Sequence, residues 1–357
     1  MSKPTHLSGF LFGGPLDHYF ELFYKIITYF CIMKKVLLLI AVSLILNSCK
    51  KEDETTITNT YTVVEDLWGV EVSSLPEYYF TSDVPSSQVD IIRESYEIAS
   101  ASWGNYGPLE YWIVGNDVTL ADSLDLVYCD VRIEKDPSLN NNDYQGCLNR
   151  GYNFVDYVND GGAALNLRRN QDDDYSVFII THGSKNPYPS ENDYSVVAMH
   201  EYFHVYQQAH IFTKDEQERS SMLPVNPWFV EGGATYMAEL LYSQQTNVSS
   251  NYLDEVMEWK MQHVNNFLAL GIRIEGIQYA DGFPNTQYAY ELGAWFTAFL
   301  IHNVGFETYL VNFHDDLNDL GFEQSFVINF GKSSQEFLDD FHDFLNLSIS
   351  EQLDILP

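Results

Sequence analysis

The sequence predicts an α+β protein. Its first half carries short β-branched and aromatic runs, "LEYWIVG" (109–115) and "DYSVFIITHG" (174–183), which read as strands. From residue 194 onward the pattern becomes helical, with apolar residues at helical spacing and Gly or Asn/Asp punctuation. The chain of 357 residues is 45% hydrophobic and 15% aromatic, enough for a packed core. Strands followed by helices give a small mixed α/β lobe at 63–190 and a helical lobe at 191–357, together one domain over 63–357.

The N-terminal end is read separately. From Met33 the chain runs "MKKVLLLIAVSLILNSCKKEDE": a basic pair, an apolar run from Val36 to Leu46, then small and polar residues ending in Cys49. Eleven apolar residues are too few to cross a hydrocarbon layer of about 30 Å as a helix. They fit the apolar region of a secretory signal at 33–48. "LNSC" resembles the cleavage site of bacterial lipoproteins, which implies lipidation of Cys49 and a protein exported and anchored to the outer membrane. Residues 49–62 then form a polar tether, and residues 1–32 precede a complete signal, as if translation were assigned to begin too early.

Residues 1–49 carry a net charge of +2, which leaves 14 Lys+Arg against 49 Asp+Glu, or −35, on the body. Phosphate backbones would repel such a surface, so nucleic acid is excluded as a partner. Cys129 and Cys147 flank the polar stretch "DPSLNNNDYQG". In an exported body they can pair, closing a loop worth about 3 kcal/mol in the chain-entropy model, or else remain two buried thiols.

The elements follow in order. "SSQVDIIRESYEIASASWGNYG" has Val89, Ile92, Tyr96 and Ala99 at helical spacing, and polar loops separate the two strands. Helices are expected at 194–212, 227–244, 252–269, 289–303, 306–318 and 334–347. "NQDDDY" (170–175) offers oxygen ligands of the kind Ca²⁺ takes, but without the spacing of a calcium loop it reads as a solvated acidic turn.

The chemistry lies in "VVAMHEYFHVYQQAH" (196–210). Residues four apart on a helix share a face, so His200 and His204 can present two imidazoles to one ion. Glu201 is one step round and can reach a water on that ion. The plainer alternative is a core helix with two satisfied histidines. A third ligand is offered 27 residues past His204 by "PWFVEGGATYMAE" (227–239), where Glu231 sits within the first turn of a helix opened by Pro227 and is followed by glycines that permit close approach. Taken alone, Glu231 could merely favour the helix dipole.

"HEYFH" followed by "WFVEGGATY" resembles the gluzincin branch of the zincin metallopeptidases (peptidase-MA-like). The likeness runs from about 175 to 347 and ends on "FGKSSQEFLDDFHDFL" (330–345). It implies a zincin-like fold, with the sheet packed on the active-site helix. It also implies one Zn²⁺ held by His200, His204 and Glu231, Glu201 as catalytic base, and a peptide or protein as substrate. "YELG" (290–293) is similar to the Tyr-x-x-Gly element of aminopeptidase-N-like members, which implies that Tyr290 donates a hydrogen bond to the oxyanion, with Tyr288 next in line. No Gly-x-Met-Glu-Asn element is present, so the free-amine specificity of aminopeptidases is not implied. His182, His210, His263 and His302 match no position of the family. A scaffold of this kind could also bind peptide or glycan without cleaving it, although a pure binder has no need of Glu201.

Overall fold

The computed structural model describes residues 65–185 and 194–357. The expected leader, Cys49 and the tether lie outside the described residues. Among the described residues no helix is long and apolar enough to cross a membrane.

The first half holds β1 (Glu77–Phe80), α1 (Ser86–Trp103), β2 (Leu109–Val114), α2 (Val118–Lys135), α3 (Asn141–Arg150), α4 (Phe154–Asp160), β3 (Ala163–Arg168) and β4 (Val177–Gly183). The sheet has the order β1-β2-β4-β3. β1, β2 and β4 are parallel, while β3 runs antiparallel along β4 at the edge. Every residue of β2 and β4 is buried, which is why both read as mainly apolar runs, broken by Glu110 in β2 and by Thr181 and His182 in β4. Alternate side chains serve two cores. Tyr111, Ile113, Phe178 and Ile180 pack toward α1, whereas Trp112, Val114, Val177 and Ile179 pack toward α2 and α4.

Three helices and a strand occupy ground expected to be loop. Asp117 starts α2 by accepting the N–H groups of Thr119 and Leu120, and Asn140 starts α3 through a capping box with Asp143. α3 buries no residue, so it carries no apolar stripe to be recognised. β3 is half-buried along most of its length and lacks the strong alternation of a strand with one wet face. Cys129 and Cys147 are joined by a disulfide that ties α2 to α3, with Cα atoms 5.7 Å apart.

The second half contains α5 (Tyr194–Ala209), α6 (Glu216–Ser221), α7 (Pro227–Ser243), α8 (Tyr252–Leu268), α9 (Asn285–Val304), α10 (Phe313–Leu320), α11 (Phe322–Phe330), α12 (Ser334–Phe344) and α13 (Ile349–Leu353). The helix expected at 289–303 begins earlier, at Asn285, and the one expected at 306–318 divides into a π turn (Thr308–Asn312) and α10. α11 falls where the sequence predicts no helix. It is set off from α10 by Gly321, whose φ of +70° stops one helix and starts the next.

α5 is buried all round, between the sheet with α1 on one side and α7 on the other. α7 in turn lies across α9. The crossing requires glycine on both helices: a Cβ on Gly293 would lie 2.2 Å from the Trp228 carbonyl oxygen, and one on Gly232 would lie 2.3 Å from the Gly293 backbone. Gly233 faces the other way, where a Cβ would lie 2.7 Å from the Tyr309 hydroxyl and 3.3 Å from Gln207. The glycine pair after Glu231 thus lets one helix close on two neighbours at once.

Candidate metal centre

His200 and His204 sit one turn apart on α5, and their Nε2 atoms are 3.1 Å apart. Glu231 comes from α7, and its Oε2 lies 3.2 Å from His200 Nε2 and 3.1 Å from His204 Nε2. It stands on the fifth residue of α7, past the first turn, which corrects its expected position. At that depth the carboxylate faces the imidazoles instead of capping free N–H groups.

Three lone-pair donors therefore make a nearly equilateral triangle. A tetrahedral zinc with bonds of about 2.0–2.1 Å holds its ligand atoms about 3.3–3.4 Å apart, so this donor set fits zinc with shifts of roughly 0.2 Å. Among the described residues this is the cluster of His, Cys, Asp or Glu side chains able to hold an ion.

The surroundings orient the rings. His204 Nδ1 lies 2.8 Å from Gln207 Oε1, and the same amide donates from Nε2 to the Val230 carbonyl at 3.1 Å, so Gln207 bridges the two ligand-bearing helices. His200 Nδ1 lies 3.4 Å from Thr235 Oγ1. The Tyr279 hydroxyl donates to Glu231 Oε1 at 2.8 Å, leaving Oε2 toward the histidines. These are the outer contacts that fix ring tautomer and ligand orientation in metal sites.

With protons alone to share, the cluster polarises. Burial by itself would raise the Glu231 carboxyl, but the two imidazoles override it and hold the group far below the usual carboxylate range. Burial would likewise depress His204, and the Glu231 charge overrides that and raises it to about 9. Glu201 is buried and shifted upward, chiefly by burial, while its neighbouring histidines and a backbone hydrogen bond from Leu165 pull the other way.

These groups open on a cavity of about 300 Å³. One wall is Ala163, Ala164 and Leu165 of the edge strand β3. Another is the start of α9, where the Tyr290 ring lies parallel to His200 at 6.0 Å between centroids. Lys260 and Glu291 also reach this wall. Both are buried, Lys260 beside Glu239 at 3.0 Å and Glu291 against His263 at 2.7 Å.

Other expected positions fall elsewhere. Tyr288 packs against Phe267 and His263, away from the triangle. His182 is buried in β4, His210 bonds the Tyr206 carbonyl and His302 is exposed. In the "NQDDDY" turn, Asp173 accepts from Arg168 and from Asn170. Gln207 and Thr235 were legible but unread: Gln207 is three residues past His204 and Thr235 four past Glu231, each on the ligand's own face. Tyr279 reaches the site from a turn between helices and has no such spacing signal.

The chain has been compared with protein-family models, with curated proteins and with solved structures, and none of them matches it.

Proposed function

We propose that this is the catalytic centre of a zincin-type, zinc-dependent peptide hydrolase, with His200, His204 and Glu231 as the residues that would hold the ion. The observation that carries the reading is the convergence of those three ligand atoms beside a buried carboxyl, Glu201, that is not part of the triangle. When bound, Zn²⁺ would supply a Lewis acid for the scissile carbonyl and acidify the attacking water.

The chain's own groups do the remainder. Glu201 takes the proton from the water and returns it to the departing amine. Tyr290 donates to the oxygen that becomes negative in the transition state. β3 supports a peptide substrate, because an edge strand presents unpaired backbone groups to an extended chain and this one runs beside Glu201.

We place the hydrolase outside the cytoplasm, tethered through Cys49. The signal-like segment 33–49 supports this, and so does the Cys129–Cys147 bond, which suits an oxidising compartment.

A peptide-library digest with zinc-loaded wild type and Glu201→Gln tests the reading. The variant is expected to keep its zinc by metal analysis and to lose about 10²- to 10⁴-fold in kcat. Cleavage by the variant at the wild-type rate, or wild type that neither retains zinc nor cleaves, overturns it.

A further inference from the structure

We infer that Tyr279 is a positioning residue for the metal: its phenol occupies one oxygen of Glu231 and so makes that carboxylate a one-oxygen ligand. The inference rests on the zinc reading above and adds a residue and a coordination mode to it.

A carboxylate facing a cation can bind through one oxygen or through both, and the choice sets the coordination number. Here the two oxygens of Glu231 have different partners. Oε2 faces both imidazoles at 3.1 and 3.2 Å, and Oε1 accepts the Tyr279 hydroxyl at 2.8 Å. A lone pair engaged by a phenol is a poorer donor to a metal, and the hydrogen bond holds the carboxylate plane so that Oε1 stays turned away. The centre would then keep three protein donor atoms, the number that leaves a position open for water in catalytic zinc sites.

The phenol is built into place. Tyr279 opens a turn closed by a capping box, with the Gln278 N–H on Asp281 Oδ2 at 2.8 Å. Just before it, Ile274 and Ile277 are buried, and the Asn226 amide donates to the Glu275 carbonyl, pinning the segment to the start of α7. Tyr279 itself is 49% exposed, so little of the ring serves the core. Its hydroxyl alone reaches Glu231, which makes Tyr279→Phe a clean removal of that contact.

The test is zinc affinity by chelator competition, with the visible spectrum of the cobalt-substituted protein as a second readout. Tyr279→Phe is expected to weaken zinc binding about 10- to 100-fold. Its cobalt spectrum should lose intensity toward that of a higher coordination number as Oε1 joins the metal. Tyr288→Phe, on a ring that packs elsewhere, should change neither. Equal zinc affinity and an unchanged cobalt spectrum in Tyr279→Phe overturn the inference while leaving the zinc centre standing. Failure of wild type to bind zinc overturns both.

Discussion

Two of the buried clusters of ionisable side chains among the described residues are built on opposite principles. In the sheet half, Glu110 is 1% exposed, and every strong partner around it is a donor. Arg132 donates to both of its oxygens, Lys135 to Oε1 at 3.0 Å and the Trp112 indole to Oε2 at 3.0 Å. Acceptors are matched by donors and the cluster is closed. At His200, His204 and Glu231 three acceptor atoms face one another instead. Such an arrangement is stable only around a shared proton or a cation. The difference separates an ion pair that holds a fold together from a site that waits on something else.

The sharpest way to break that comparison is to remove one carboxylate from each cluster. Glu110→Gln leaves the Arg132 guanidinium buried without its counter-charge, and Arg cannot shed its proton. The expected loss is about 3–5 kcal/mol in denaturant unfolding, with or without chelator. Glu231→Gln should cost less in chelator, because His204 can release the proton that the Glu231 charge keeps on it. With zinc the order reverses. At a hundredfold excess over Kd, wild type and Glu110→Gln should each gain about 2.7 kcal/mol and Glu231→Gln nothing. If Glu110→Gln were the variant that lost the zinc response, the contrast would be false.

The residues of the two clusters also differ in how legible they are in the sequence. His200, Glu201 and His204 lie within one helical turn, and Glu231 follows Pro227 and Trp228 at a helix start, so each was recognisable from local spacing. Gly232 reads as a place of close approach, and it meets Gly293 where α7 crosses α9. The edge strand β3 was missed because Ala163 and Ala164 give no alternation, and α3 because it has no buried face. Tyr279 was missed for a different reason. It reaches Glu231 across 48 residues of sequence, and only the packing of the intervening turn sets that distance. Local chemistry was legible, whereas contacts made by irregular backbone were not.

Histidines sharpen the contrast in a second way. His182 and His314 are buried, and the Nε2 of each has no hydrogen-bond partner among the described residues. Burial pushes both down to about 3, and His210 beside His314 adds to its shift. Below about pH 6.5 the unfolded chain binds protons at these positions that the folded chain refuses. Their contribution is therefore complete above 6.5 and is lost as the pH falls. The loss is about 2 kcal/mol for each between pH 6.5 and 5. Urea unfolding of wild type and His314→Gln at pH 7, 6 and 5 should show a shallower acid loss in the variant. Parallel curves would mean that His314 accepts its proton in the fold, as His204 does beside Glu231.

The smallest expected effect concerns Gln207, the residue beside the His200–His204–Glu231 triangle that most resembles the donors around Glu110. Its amide accepts from His204 Nδ1 at 2.8 Å and donates to the Val230 carbonyl at 3.1 Å, next to Glu231 in the chain. A proton held on Nδ1 is what leaves Nε2 with a lone pair for a metal. Gln207→Met fills a similar volume but can neither hold that tautomer nor bridge the helices. Zinc affinity by chelator competition should fall about tenfold, close to 1.4 kcal/mol, the lower end for an outer contact. Unfolding in chelator should shift as well, since one hydrogen bond from the protonated His204 and one to the Val230 carbonyl are lost. A variant that bound zinc as tightly as wild type would show that the helix alone aims the ring. Gln207 would then belong with Glu110, among the groups that serve the fold.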